Sequence, residues 1–194
     1  MNLMIDDISG VPVKYIPNFY DPSVTLDEIW DDIDLFRYVN AAGNKQPRYE
    51  SWSDDYGFEY KYGSGSAEIN FYSTPYSKTL LRYKRVVNYA FDFKHDCVFT
   101  NEYKDGTDHL GWHSDDSPEM DPKHSIAILS FGAPREIWFR KIGEKGLATK
   151  GILLEHSSAL IMFAGMQQEW QHRIPKASAS CGRRLSMTFR KLVV

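Results

Sequence analysis

The feature that most constrains this chain is the texture of its C-terminal half. From Asp96 onward, short strand-like runs follow one another at 97–103, 125–131, 135–141, 151–155, 159–163, 169–174 and 184–192. Clusters of Gly, Pro, Asp and Ser separate them, the pattern of an all-β sandwich or barrel. The N-terminal half reads differently. From Val11 to about Asn44 an entry strand and then a helix are expected, with Leu26, Ile29, Trp30, Ile33 and Leu35 at roughly helical spacing behind Asp21-Pro22-Ser23. Residues 46–77 carry Pro47, Pro75 and alternating aromatics, which suits irregular strands and loops forming a lid or side wall. Leu80, Leu81, Tyr83, Val86, Val87, Ala90 and Phe91 then predict a second helix over 77–93.

The expected architecture is therefore mainly β (α+β): a jelly-roll core over 96–194, with flanking N-terminal helices and a lid over 11–95, in a single domain of 1–194. A chain of 194 residues can enclose such a core without disulfides. Cys97 and Cys181 are its only cysteines, and residues 1–7 lack the basic and apolar run of a signal peptide. A reducing compartment, cytoplasmic or nuclear and not secreted, is expected. No run approaches the roughly 18 apolar residues of a membrane span, so the protein is expected to be soluble, with a monomer as the default. The net charge of −3 means that a nucleic-acid partner would have to be met by a local basic patch. Lys104, Lys141, Lys145, Lys150, Arg173, Lys176 and Arg183 lie in or beside predicted loops. They suit either phosphate tracking or a solvated surface.

Two places carry chemistry. In Gly111-Trp112-His113-Ser114-Asp115-Asp116, an extended backbone points His113 and Asp115 to the same side. His172, on a later predicted strand, is available as a third ligand. Two imidazoles and one carboxylate make the facial triad that leaves positions open on iron(II), whereas a structural zinc site is closed. His-x-Asp alone is a weak signal, because so short a motif arises by chance. Of the remaining histidines, His109, His124 and His156 fall in loops and His95 stands beside Asp96, so all four are expected to be solvated. The last strand adds a second clue. Arg184, Ser186, Thr188 and Arg190 alternate with Leu185, Met187 and Phe189. The arginines either face solvent or line a cavity for a dianion, for which a guanidinium fork suits each carboxylate.

Together with Asn101-Glu102-Tyr103-Lys104-Asp105-Gly106, Ser130-Phe131-Gly132-Ala133 and His172-Arg173-Ile174-Pro175, these passages resemble the AlkB family of nucleic-acid dealkylating dioxygenases, in particular its duplex-DNA-repair branch. The resemblance implies Fe(II) held by His113, Asp115 and His172, with 2-oxoglutarate and O2 as cosubstrates. It implies that Asn101, Tyr103, Arg184, Ser186 and Arg190 bind 2-oxoglutarate. It also implies oxidative demethylation of bases such as 1-methyladenine and 3-methylcytosine in DNA, releasing formaldehyde, succinate and CO2. An RNA demethylase of the same chemistry and a catalytically silent nucleic-acid-binding jelly roll are the alternatives. Residues 47–52 and 60–63 resemble the family's nucleotide-recognition lid, which implies substrate-binding roles for Tyr60, Tyr62 and Trp52, and the position of Asp116 implies one for it. The same aromatics would also serve as a satellite core under a long loop. Two departures stand out: Ser117 and Pro118 replace an acidic residue of close relatives, and residues 38–44 are a weak counterpart of the branch's wedge hairpin.

Overall fold

The structure is a computed structural model that describes residues 10–145 and 150–194. The expectation about residues 1–7 falls outside the described residues. Among the described residues the regular elements run β1 (Val13–Ile16), α1 (Leu26–Trp30), β2 (Tyr49–Asp54), β3 (Tyr60–Tyr62), β4 (Ile69–Phe71), α2 (Lys78–Phe91), β5 (Cys97–Tyr103), β6 (Leu110–His113), β7 (Ile126–Gly132), β8 (Arg135–Lys141), β9 (Lys150–Leu154), β10 (Ser158–Met162), α3 (Met166–Glu169), β11 (Trp170–Ile174) and β12 (Arg184–Arg190). The strands form a six-stranded sheet, β1-β10-β7-β12-β5-β2, a four-stranded sheet, β6-β11-β8-β9, and the ribbon β3-β4. All pairings within the sheets are antiparallel. Two opposed antiparallel sheets with helices outside make the expected jelly roll.

The large sheet is covered on both faces, and its alternation reports which residue meets which layer. On β7, Ile126 and Ile128 join Tyr103, Ile137, Phe139 and Leu154 in the core between the sheets. Ala127, Leu129 and Phe131 point the other way, onto Leu80, Tyr83 and Val87 of α2. Each large side chain so buried contributes about 1.5–3 kcal/mol. The apolar set of β12, Leu185, Met187 and Phe189, belongs to this helix-covered face. Its polar set is thereby turned toward the small sheet. Gly132 closes β7 at φ +85, and a Cβ there would lie 2.4 Å from the Arg183 carbonyl. Only glycine lets β7 turn so tightly against the start of β12.

Five expectations are corrected. The first helix ends at Trp30, so Ile33 and Leu35, read at helical spacing, lie beyond it; Thr25 and Glu28 form its capping box. Asp32 leaves the helix to accept a hydrogen bond from the Thr79 amide at the start of α2 (2.7 Å), where an anion complements the helix dipole. Residues 49–54, expected as part of an irregular lid, are a regular strand of the large sheet in register with β5. The short strand β6 lies where none was expected. His95, expected in solvent, is 2% exposed. The Asn88 side chain bonds both its main-chain groups, its Nε2 meets the Ser125 carbonyl at 2.7 Å, and burial lowers its pKa to about 4. His156 is likewise engaged, with Nδ1 accepting from the Gly132 amide at 3.0 Å. The second helix begins and ends within two residues of expectation, with Ser77 as its N-cap. β1 and β2 pair with β10 and β5, so the large sheet runs across residue 95.

Candidate metal centre and its two chambers

β6 and β11 pair so that His113 and His172 are direct cross-strand neighbours, with ring centroids 4.2 Å apart. Asp115, just past the end of β6, completes the group. His113 Nε2 lies 3.7 Å from its Oδ1 and His172 Nε2 3.9 Å from its Oδ2. The ligand atoms of all three fall within 4.8 Å of one another, a separation one cation can bridge.

The surrounding bonds leave the right atoms free. The His113 Nδ1 is 3.0 Å from the Gly111 carbonyl; donation there puts the proton on Nδ1 and the lone pair on Nε2. Arg190 holds Asp115 Oδ1 at 2.9 Å, while Oδ2 has no hydrogen-bond partner. The Gln167 side chain accepts from the Asp115 amide at 2.9 Å and so fixes the loop that carries the carboxylate. Burial pushes His172 down to about 3, assisted by the neighbouring His113, and burial also lowers His113. Both imidazoles are thus neutral near neutral pH. Burial alone would raise the Asp115 carboxyl, but Arg190, His172 and His113 outweigh it and hold it well below the usual carboxylate range. Two neutral imidazoles and a carboxylate are the protonation states a divalent metal requires.

The centre lies at the junction of two chambers. The barrel-side chamber, between the sheets, is lined by Asn101, Tyr103, Arg184, Ser186, Thr188 and Arg190, with apolar residues of the small sheet opposite. The register puts Arg184 opposite Tyr103 and Ser186 opposite Asn101. Arg184 is 1% exposed and bonds Ser130 Oγ at 3.0 Å, yet its Nε and Nη1 have no partner. Nε and Nη1 of Arg190 are unpartnered as well. Buried guanidinium donors left unmatched are costly, and a small dicarboxylate would match them. The chamber therefore fits 2-oxoglutarate, and the triad fits iron, on the geometry of this chain alone.

The lid-side chamber shares His113, Asp115, Asn101 and Arg190 with the first and adds Arg48, Glu50, Tyr60, Tyr62, Phe71 and Phe99. The ribbon β3-β4 supplies its aromatic side. Tyr60 bonds Ser117 Oγ at 3.0 Å, and Tyr62 stands edge-on to His113 with centroids 6.2 Å apart. The remaining predicted residues lie elsewhere. Trp52 is 1% exposed, stacks behind Tyr60 at 4.9 Å and gives its indole N–H to the Phe58 carbonyl; it belongs to the satellite core with Phe71 and Phe99. Asp116 is exposed and lines, with Ser117 and Met120, an adjoining cleft that shares Asp115 and Arg190 with the two chambers. Sequence reasoning missed Ser130, Gln167 and the pair Arg48 and Glu50 as parts of the centre. Ser130 had a signal, since it lies in a passage that carries the family resemblance. Gln167 had none, because its partner is 52 residues away.

A jelly roll holding a His-Asp-His triad beside two buried arginines defines a class, the iron- and 2-oxo-acid-dependent oxygenases. The comparisons agree. Residues 35–190 match the family described as the 2OG-Fe(II) oxygenase superfamily. The chain is 37% identical over 153 residues to the rat "Alpha-ketoglutarate-dependent dioxygenase alkB homolog 3", covering 75% of this chain and 50% of that one. It is 30% identical over 154 residues to the human "DNA oxidative demethylase ALKBH2", covering 76% and 58%. The chain thus spans about half the length of the curated relatives it matches. A solved structure described as "The structure of OsALKBH1" superposes with a TM-score of 0.66 at 15% identity, covering 98% of this chain and 99% of that one, a likeness of fold. The chain belongs to the 2OG-Fe(II) oxygenase superfamily and, within it, to the AlkB family. The superfamily's cofactor and cosubstrates are Fe(II), 2-oxoglutarate and O2.

Proposed function

We propose that this protein oxidatively demethylates N-alkylated nucleic-acid bases of the 1-methyladenine and 3-methylcytosine type, using Fe(II), 2-oxoglutarate and O2. The observation that carries the reading is the set of unpartnered donors on Arg184 and Arg190, in a chamber between the sheets that the triad also lines. When bound, Fe(II) with its cosubstrates supplies the oxidising power to hydroxylate an N-methyl carbon, after which formaldehyde leaves the base.

The residues of this chain hold and shield. His113 Nε2, His172 Nε2 and Asp115 Oδ2 would hold the metal, with Gly111 orienting His113 and with Gln167 and Arg190 placing Asp115. Arg184, steadied by Ser130 and by the face of Tyr103 at 5.2 Å, takes the far carboxylate of 2-oxoglutarate, and Arg190 lies near the iron-chelating end. Asn101 accepts a hydrogen bond from Arg48 Nε on its side-chain oxygen at 2.8 Å, which leaves its amide N–H groups for the ligand. Ser186 faces the same chamber. Tyr60 and Tyr62 enclose an extruded base, whose lost stacking aromatic faces offset. Trp52 acts through Tyr60, which it backs. The reading carries a nucleic-acid partner, a reducing cytoplasmic or nuclear setting and a monomeric protein. Among the described residues no helix is long and apolar enough to cross a membrane.

The test is aerobic turnover of single- and double-stranded DNA and RNA oligonucleotides carrying either lesion, with lesion loss and succinate measured by mass spectrometry. Lesion loss that needs iron and 2-oxoglutarate and vanishes in Asp115→Ala is expected, and the four substrates rank the polymers. Succinate without lesion loss on any of them overturns the base assignment. Neither product from folded, iron-loaded protein turns the reading to a binding module.

A further inference from the structure

Glu50 is a buried ionisable group that the chemistry described so far leaves without a task. It sits on β2 opposite Asn101, 0% exposed. Arg48, just before the start of β2, pairs with Oε1 and reaches Asn101 through Nε. Beyond that ion pair, neither Glu50 oxygen has a hydrogen-bond partner. A carboxylate has about four lone-pair sites, and burying it with most of them unused costs several kcal/mol. A well-packed apolar pair would close the edge of the sheet at lower cost.

The unused sites face the lid-side chamber, which Glu50 lines together with Tyr60, Tyr62 and His113. The other carboxylates nearby belong to the metal centre or lie outside the chamber. The one other carboxylate lining that chamber, Asp115, bonds Arg190 through Oδ1 and turns Oδ2 to His172. Asp116 lies outside in the neighbouring cleft, and the Ser117 hydroxyl is engaged with Tyr60. Glu50 is left as the uncommitted anionic acceptor of the chamber. N-methylation at N3 of cytosine or N1 of adenine leaves a cationic base whose exocyclic amino group donates hydrogen bonds. Methylated uracil or thymine offers only carbonyl acceptors at the same place.

On the demethylase reading above, we infer that Glu50 is the base-selecting residue, accepting a hydrogen bond from the exocyclic amino group of a cationic N-methylated base and rejecting its oxo counterpart. A site built to bond a donor discriminates strongly against an analogue that presents an acceptor, because two acceptors then face each other without a proton. Arg48 holds the carboxylate in place and remains tied to Asn101, so one side-chain chain links the two chambers. Burial pushes the Glu50 carboxyl up to about 7 against the pull of Arg48, and an entering cation favours its ionised form.

The experiment compares single-stranded oligonucleotides carrying 3-methylcytosine or 3-methyluracil, which differ at C4 by amino against oxo. Wild type and Glu50→Gln are assayed for kcat/KM on each, with thermal melting and succinate formation followed in parallel. Wild type is expected to favour 3-methylcytosine by more than about tenfold, and Glu50→Gln to reduce that ratio by about tenfold, the loss falling on 3-methylcytosine. Equal loss on both substrates in the variant assigns Glu50 to structure alone and overturns the inference. A wild-type preference below about threefold overturns it without any variant, should Glu50→Gln fail to fold. Succinate from wild type with neither lesion removed defeats the demethylase reading itself, and the inference with it.

Discussion

Arg135 at the start of β8 and Arg184 on the inner face of β12 are buried almost equally, at 2% and 1% exposure, and differ in what their guanidinium groups touch. Arg135 bonds the carbonyls of Asp105, Asp108 and Pro175 at 3.1, 2.9 and 2.6 Å, tying the loop between β5 and β6 to the one that follows β11. Arg184 has Ser130 and two idle donors. Both stand over the ring of Tyr103, at 5.3 and 5.2 Å. Burial therefore does not distinguish a binding arginine from a structural one. Unmatched hydrogen-bonding capacity turned into a chamber does, because a buried donor without a protein acceptor calls for a water, an ion or a ligand to supply one.

The contrast can be broken by exchanging each arginine for methionine. Arg184→Met is expected to weaken 2-oxoglutarate binding by about three orders of magnitude, from the loss of two charge-assisted hydrogen bonds. It should leave the ligand-free protein as stable as wild type or more so, since an uncompensated charge is removed. Titration calorimetry and ligand-free melting read the two effects, and a destabilised ligand-free variant would merge Arg184 with Arg135. Arg135→Met is expected to do the reverse. Three carbonyls lose their donor, costing roughly 3–5 kcal/mol of stability, while at a temperature where the variant is folded the 2-oxoglutarate affinity changes little.

Glu50 sharpens the same comparison through pH. Its folded-state carboxyl is raised from 4.5 to about 7, so between those values the folded protein binds the proton more tightly than the unfolded chain. Stability from this group is fully present below pH 4.5, falls as pH rises through the window and levels off above about 7. The total is on the order of 3 kcal/mol. Subtracting the Glu50→Gln stability profile from that of wild type isolates this slope, and a flat difference would show that Arg48 fully compensates the burial. The smallest effect expected is for Ser130→Ala, which removes one bond to Arg184 and should cost about 1 kcal/mol, a fivefold loss in 2-oxoglutarate affinity on calorimetric titration.

Much of this was legible in local pattern. The runs of β7, β8, β10, β11 and β12 agree with the structure to within one or two residues, since these strands are rich in β-formers and bounded by turn residues. His113 and Asp115 were found as a pair and the polar face of β12 as a unit. Other features were hidden for stated reasons. The helix begun at Leu26 keeps an apolar period to Leu35, yet Asp32 is drawn away to the start of α2. His95 looks like a surface residue beside an aspartate until Asn88 folds the chain back over it. The strand β2 reads as loop because its interior positions are polar, and their burial depends on β5 and on the chamber they help to line.

What the sequence by itself determined is whatever repeats within a few residues: strand and helix periods, the nearness of His113 and Asp115, the phase that puts Arg184, Ser186, Thr188 and Arg190 together. Side-chain direction along a strand alternates by geometry, so such groupings follow from spacing alone. What only the tertiary structure decided is which groups meet across long separations: His172 opposite His113, Arg48 on Asn101 across 53 residues and Gln167 on Asp115 across 52. Those meetings depend on strand register and on the packing of one sheet over another, which are set cooperatively by the whole core, and it is they that leave Arg184, Arg190 and Glu50 with bonds still to make.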